Sequence, residues 1–408
     1  MKSLLTYDES SNVLILGRAI ANILMKTVNI LHVASFYTMG GIENILGDFL
    51  RKPAKGFKFH VFSPYPVLKY WAQQFHKRQI PFYQAGFRYR WYKEIVQVAL
   101  RCQADLVHFH WGIAQARALK ENGVKGIIAH DHGLAWQYKS SAVDFIFNEY
   151  QYVDRIVSVS EASRFMLNQR LKIDLNKIVT IYNGINFKRI KPVNPIPSPD
   201  GKKVVLAIGR LEPQKGFDSL LKAAPSIIRN KEGKVKFWIV GDGSLQKDLI
   251  ALTKQLGITK FVKFWGARKE IGNFLASAEI LILPSIWEPF GNVLAEAGYF
   301  KKPCIATNVD GIPEIIIDHE TGILIDPVVP VTPNKHIPLF VLSGRTKTLQ
   351  PPLSVAPNSL AETILQLLNN PELCHSMGEK ARQRVVQLFN YESYRDKLMV
   401  IYRELKIV

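Results

Sequence analysis

Trp287-Glu288-Pro289-Phe290-Gly291-Asn292-Val293-Leu294-Ala295-Glu296-Ala297 places two carboxylates at the ends of a turn that opens a helix. Upstream, Leu281-Ile282-Leu283 reads as a buried strand running into Pro284; downstream, Val293, Leu294, Ala297 and Gly298 keep helical spacing. Phe290 to Asn292 therefore sit at a helix N-terminus, whose free N–H groups attract anions. Glu288 falls in the loop at the carboxyl end of the strand, and Glu296 about two turns into the helix, roughly 12 Å along its axis. Glycosidase carboxylates face each other at roughly 5 to 9.5 Å across one bond. The wider pair reads instead as two grips on a long, polyhydroxylated, phosphate-bearing ligand.

Outward from this stretch, apolar strand-like runs alternate with helical ones. Asn29 to Ala34, Phe57 to Phe62, Asp105 to Phe109, Gly126 to Ala129, Arg155 to Val159 and Ile178 to Tyr182 form a first series. Lys203 to Ile208, Val235 to Val240, Phe261 to Phe264, Ile280 to Leu283, Cys304 to Ala306 and Ile323 to Ile325 form a second. The alternation predicts an α/β chain of two doubly wound, parallel-sheet domains, 25–190 and 203–390. Residues 191–202, with Pro192, Pro195, Pro197 and Pro199, suit neither a helix nor a central strand and read as the linker. The proline-rich 326–357 reads as an inserted loop, and 391–408 as a terminal amphipathic helix. Ligands bind outside the carboxyl ends of such strands, so the cleft between the domains is the expected site.

Three further motifs follow strands of the second series or its Glu pair. Gly209-Arg210-Leu211-Glu212-Pro213-Gln214-Lys215-Gly216 comes after Val204 to Ile208, Val240-Gly241-Asp242-Gly243-Ser244 after Val235 to Ile239, and Asp310-Gly311-Ile312-Pro313-Glu314 after the Glu pair. In the first half, Met39-Gly40-Gly41-Ile42-Glu43 opens a helix, and its two glycines let phosphate come close to the N-terminus. Ile127-Ile128-Ala129-His130-Asp131-His132-Gly133 ends a strand. Together these motifs resemble those of the GT-B retaining glycosyltransferases of family 4, also called glycosyl transferases group 1. The resemblance implies two Rossmann-like domains facing across a cleft, the first binding the acceptor and the second a nucleotide sugar, with the C-terminal helix crossing back onto the first.

The resemblance also assigns roles. Glu296 matches the residue that grips the ribose hydroxyls, Glu288 the one that meets the transferred sugar, and His132 the one that contacts sugar or phosphate. Arg210 and Lys215, five apart on one strand-to-helix turn, can converge on a diphosphate and stabilise the leaving group, with a surface pair between Arg210 and Glu212 as the alternative. Phe290 and the N–H groups of Gly291, Asn292 and Val293 complete a cradle with Gly40, Gly41 and Gly209, while Gly241, Gly266 and Arg268 lie where relatives approach the base. Asn292 replaces a commonly apolar residue, which bears on sugar preference. Asn183-Gly184 fits the turn that lines the cleft; Gly311 and Pro313 read as structural, opening a helix. No Asp-x-Asp occurs, so a metal-independent reaction on a UDP- or GDP-sugar without cofactor is expected. His130, Asp131 and His132 do not match common metal spacings, and His130, alternating with His132, is read as a core residue.

The 408 residues carry a net charge of +19 and a pI near 9.7, which implies an anionic partner: nucleic acid, a membrane leaflet or anionic small molecules. With the resemblance in hand, a glycan or anionic lipid-linked acceptor at the inner face of the cytoplasmic membrane is the expected partner, as in lipopolysaccharide or other cell-surface polysaccharide synthesis, and nucleic acid is not. Phe87-Arg88-Tyr89-Arg90-Trp91-Tyr92-Lys93 reads equally as a headgroup seat or as an amphipathic surface segment. Cys102, Cys304 and Cys374 suggest neither a disulfide framework nor a zinc site, and a reducing cytoplasm fits them. No apolar run is long enough to span a bilayer. Residues 1–24 are read either as upstream of a true start at Met25 or as a surface-helical extension. Two rival functions stand beside the transferase: a nucleotide-sugar epimerase or synthase of the same fold, and a non-catalytic basic binding protein.

Overall fold

A computed structural model describes residues 27–407, except 39, 53, 87–90, 111, 139, 192–193 and 199–200. Residues 1–24, Met25 and Phe87 to Arg90 lie outside the described residues.

The apolar runs form two parallel sheets. In the first, β1 (Val28–Val33), β2 (Phe57–Ser63), β3 (Phe82–Gln84), β4 (Leu106–Phe109), β5 (Gly126–Asp131), β6 (Arg155–Ser158) and β7 (Ile178–Thr180) stand in the order 3-2-1-4-5-6-7. In the second, β8 (Lys203–Ile208), β9 (Val235–Val240), β10 (Val262–Phe264), β11 (Ile280–Leu283), β12 (Cys304–Thr307) and β13 (Gly322–Ile325) stand in the order 10-9-8-11-12-13. Each sheet reverses its winding beside its first strand, between β1 and β4 and between β8 and β11. That reversal opens a crevice at the carboxyl ends of the strands, where α/β proteins bind ligands.

Central strands are apolar on both faces because helices cover both. Every residue of β11 is buried, and the helix Phe217–Asn230 covers one face with Phe217, Leu220, Leu221, Ala224 and Ile227. β3 is absent from the strand runs read in the sequence; three residues at a sheet edge, two half-buried and Gln84 exposed, carry too little pattern to read. Residues 326–357 are more ordered than a loop, holding two antiparallel pairs, β14 (Val329–Pro330) with β17 (Leu353–Ser354) and β15 (Val341–Leu342) with β16 (Leu349–Gln350).

The helix Tyr391–Ile407 packs on the first sheet, burying Tyr394, Leu398 and Tyr402 among β1, β2 and the helix Gly41–Arg51. Arg395 anchors it, donating to Phe49 O at 3.1 Å and Lys52 O at 3.0 Å, carbonyls at the C-terminus of that helix. Phe49 O otherwise accepts a long bond from Lys52 N at 3.4 Å, and both carbonyls lie at the negative end of the dipole, so a buried guanidinium suits them. Arg395→Ala removes both of its bonds and should cost about 1.5–3 kcal/mol, read as a lowered urea midpoint with an unchanged slope.

Candidate active site

The loops after β8 and β11 bring the second domain's charged residues together. A short 3-10 turn, Pro213–Lys215, ends at Gly216, whose φ of 60° and approach to Pro284 O leave no room for a Cβ. This turn carries Lys215 onto Glu288, and Nζ pairs with Oε2, the side chains being 12% and 10% exposed. Ser285 Oγ donates to the same oxygen at 3.3 Å. Arg210 is exposed at the rim, with Nη2 donating to Gln214 Oε1 at 3.2 Å. Glu212 accepts instead from Ser244 N at 3.0 Å and Ser244 Oγ at 2.7 Å, tying two donor-side loops together. Lys215 thus begins in an ion pair with Glu288, while Arg210 is the cation that reaches open space.

Asp310, quoted in a motif but given no role by sequence reasoning, is the centre of this loop system. Its Oδ2 accepts from Glu288 N at 3.0 Å, and its Oδ1 from Leu342 N at 2.7 Å and from the indole of Trp136 at 3.0 Å. Burial pushes its carboxyl up to about 7 against the pull of these N–H donors. Gly311 N returns a bond to Glu288 O at 3.1 Å, and a Cβ on Gly311 would lie 2.2 Å from Pro289 O, so this glycine is required by close packing.

The first domain meets these loops directly. Gly40 caps the helix Gly41–Arg51, and a Cβ on Gly41 would stand 2.5 Å from Asn292 Nδ2. Asn183 Nδ2 donates to Asn292 Oδ1 at 2.9 Å, so Asn292 is gripped from the first domain. Gly184, beside Asn183, packs under Tyr391 and Tyr394 of the C-terminal helix rather than facing the cleft. Glu43 is buried, bonds Thr38 Oγ1, and lies in the field of Arg210; burial raises its pKa and Thr38 and Arg210 lower it. Gly133, at φ 113°, lets the turn after β5 pass over Pro289. Ser160 Oγ donates to Pro289 O at 2.6 Å, and Glu314 accepts from Glu161 N and Ala162 N, both at 2.8 Å, capping a first-domain helix from the second domain.

Other expected donor residues take varied positions. Gly291, at φ 100°, caps the helix Asn292–Tyr299, and Asn292 and Val293 are partly open. Phe290 is 2% exposed and packs on Tyr182 and Phe389, so its side chain serves the turn and only its backbone is left for a ligand. Gly241 N bonds Gly266 O at 2.9 Å, and a Cβ on Gly241 would collide with Gly209 O, which welds these three glycines into one rim. Arg268 is exposed near that rim. Glu296 is buried, and desolvation raises its carboxyl to about 7 while Arg189 pulls it down.

His130 is buried, as its reading as a core residue expected, but His132 is not separated from it. The ring of His132 stacks on His130, centroids 4.2 Å apart, and its Nε2 lies 3.4 Å from His110 Nδ1. Residues two apart on a strand share a face, so alternation does not separate His130 from His132. Asp131 points away, accepting from Ser163 Oγ at 2.5 Å and from Ala135 N at 3.1 Å. His108 and His110 carried no signal beyond two strand-end histidines in Val107-His108-Phe109-His110, and the sequence reading passed over them.

Two facing Rossmann-like domains with phosphate-suited loops at both crevices define a GT-B architecture. The family models agree: "Glycosyltransferase Family 4" matches residues 39–189 and "Glycosyl transferases group 1" matches 189–347. The chain belongs to the GT-B glycosyltransferases of family 4 and is an enzyme of the transferase class. It is 27% identical over 326 residues to N-acetyl-alpha-D-glucosaminyl L-malate synthase of Bacillus anthracis, covering 76% of this chain and 77% of that one. Against UDP-Gal:alpha-D-GlcNAc-diphosphoundecaprenol alpha-1,3-galactosyltransferase of Escherichia coli it is 28% identical, covering 54% and 62%. The crystal structure of Anabaena Alr3699/HepE in complex with UDP and glucose is similar in fold, with a TM-score of 0.73 at 18% identity over 92% of this chain and 100% of that one.

Lys215→Met strands a buried carboxylate and should destabilise the protein by about 3–5 kcal/mol, whereas Lys215→Met combined with Glu288→Gln should recover most of it in urea unfolding. Glu296 supplies a pH test. Its folded pKa is raised above the unfolded value, so its stabilising contribution is complete below the ordinary glutamate range and is lost as pH rises through about 7. Glu296→Gln should therefore gain stability relative to the native protein between pH 5 and pH 8, by on the order of 1–3 kcal/mol. Paired urea titrations at the two pH values check the sign.

Proposed function

We propose that this enzyme is a retaining, metal-independent hexosyltransferase that moves a sugar from a UDP- or GDP-sugar to a glycan or lipid-linked acceptor seated mainly on the first domain. The observation that carries the reading is that the turn bearing Arg210 and Lys215 pairs with Glu288, while Asn292, one turn before Glu296 on its helix, meets Gly41 and Asn183 of the first domain. Arg210 and Lys215 take the diphosphate together with the N–H groups around Gly291. Glu296, above the carboxylate range in the free protein, ionises as it accepts the ribose hydroxyls.

Glu288 turns toward the transferred sugar as the diphosphate draws Lys215 away, and there it offsets positive charge developing at the anomeric carbon. The acceptor attacks the face from which the phosphate leaves, a phosphate oxygen takes its proton, and no protein nucleophile is needed. His132 borders the sugar. Arg210 and Lys215 supply the cationic charge, while Asp310 spends both oxygens on N–H donors and Glu288 is paired with Lys215, which supports chemistry without a metal on the diphosphate. The charge of +19 supports an anionic, lipid-linked acceptor at a membrane surface, as in surface-polysaccharide or lipopolysaccharide synthesis. The Escherichia coli relative, named for a diphosphoundecaprenol-linked acceptor, points the same way. Among the described residues no helix is long and apolar enough to cross a membrane.

Thermal unfolding with UDP-, GDP- and ADP-sugars in chelator, followed by turnover on lipid-linked acceptors, tests the proposal. One nucleotide class should raise the midpoint, and Arg210→Ala should lower kcat by about 10²–10³-fold. The product should keep the donor's anomeric configuration by NMR. No shift with any donor, or an inverted product, overturns it; donor turnover without an acceptor moves the reading to an epimerase.

A further inference from the structure

Five imidazoles gather on one face of the first sheet, beneath the C-terminal helix and behind the cleft. His32 comes from β1, His108 and His110 from the end of β4, and His130 and His132 from the end of β5. His32 and His108 are register partners on adjacent strands. One ring nitrogen from each of His32, His108 and His110 lies within 4.8 Å of the other two, and all three residues are buried. His32 Nδ1 and His110 Nε2 stand 3.1 Å apart. Nitrogens bound tetrahedrally to zinc at about 2.0–2.1 Å lie roughly 3.3 Å from one another.

The polar accounting of the cluster is incomplete. His32 Nε2, His108 Nε2, His132 Nδ1 and both nitrogens of His130 are buried without a hydrogen-bond partner among the described residues. Each such group costs about 1–3 kcal/mol when left unmade. A row of neutral stacked rings explains the packing but leaves these nitrogens unexplained. A metal on the His32, His108 and His110 rings engages His108 Nε2, whose ring-mate Nδ1 already faces Tyr402, and accounts for the close approach of His32 Nδ1 and His110 Nε2. The outer contacts are also those of ligands: His108 Nδ1 is 2.6 Å from the Tyr402 hydroxyl, and His110 Nδ1 is 3.4 Å from His132 Nε2. Metal-bound histidines almost always have the second ring nitrogen held in this way.

We propose that His32, His108 and His110 form a binding site for one divalent ion of the zinc class (zinc, cobalt, nickel or copper). Three nitrogen ligands with no carboxylate in the set select such ions over magnesium or calcium. The ion plays no part in holding the donor's diphosphate, which the loops of the second sheet take. Through Tyr402 it braces the C-terminal helix against the first sheet.

The test is metal content of the full chain, carrying no histidine tag and produced in cobalt-supplemented cells because the site is closed. One cobalt per chain should remain after exchange into metal-free buffer, with visible absorption of four- or five-coordinate cobalt. His32→Gln and His108→Gln should each bring it to background, and His319→Gln with His375→Gln, two exposed residues beside carboxylates, should leave it unchanged. Tyr402→Phe, a conservative change that keeps the helix packed, should weaken retention about 10- to 100-fold against a competing chelator. Equal metal in the native and His108→Gln proteins overturns the proposal, as does loss with the exposed pair. Loss with His130→Gln but not with His32→Gln overturns the stated ligand set.

Discussion

The site depends on one buried carboxyl. Asp310 accepts from the backbone of Glu288, from the backbone of Leu342 and from the indole of Trp136, and so joins three segments at one point. The first fixes the loop that carries Glu288, the second pins residues 326–357 onto the second domain, and the third reaches into the first domain. A carboxylate in this position carries a desolvation cost that its N–H donors only partly offset, which is why its pKa sits near 7. The fold accepts that cost because the alternative leaves three buried donors unmade.

Around that point the free protein keeps its charges in internal balance. Lys215 holds Glu288, Glu43 feels Arg210 across the cleft, and Glu296 is held above the ordinary carboxylate range by burial. Under the proposed function, a dianionic ligand changes each of these at once, drawing both cations and freeing the Glu288 carboxylate. The pre-formed Lys215–Glu288 pair keeps both groups oriented beforehand, so less ordering remains to be done on binding.

Much of the fold was legible because its signal is local. The apolar runs Val204 to Ile208 and Ile280 to Leu283, the glycine turns after them, and the proline cluster at 192–199 each fit within a dozen residues of sequence. Arg210, Lys215, Glu288 and Glu296 were legible as members of motifs. Their partners were not: Lys215 and Glu288 are 73 residues apart, and Trp136 and Asp310 are 174 apart. Phe290 shows the opposite error, since its motif marks it for the ligand while its ring fills a gap between Tyr182 and Phe389. β3 and the strand pairs of 326–357 are too short to generate a period.

The contacts between the domains are uneven, and this bears on how the cleft moves. Glu314 caps the helix Glu161–Leu171, Ser160 holds Pro289, and Trp136 holds Asp310, so the β5–β6 side of the first domain is bonded to the loops around 289–314. On the other side, Gly41 and Asn183 meet Asn292, Glu43 lies in the field of Arg210, and Lys269 Nζ stands 4.9 Å over the Tyr70 ring. The two bonds that the half-buried Glu314 carboxylate accepts are stronger than an amide–amide contact such as Asn183–Asn292. The contacts around Asn292 are therefore the weaker set between the domains, and those of the Pro289–Glu314 side the stronger. The weaker set borders the Gly40–Gly41 helix N-terminus, which under the proposed function faces the donor phosphates.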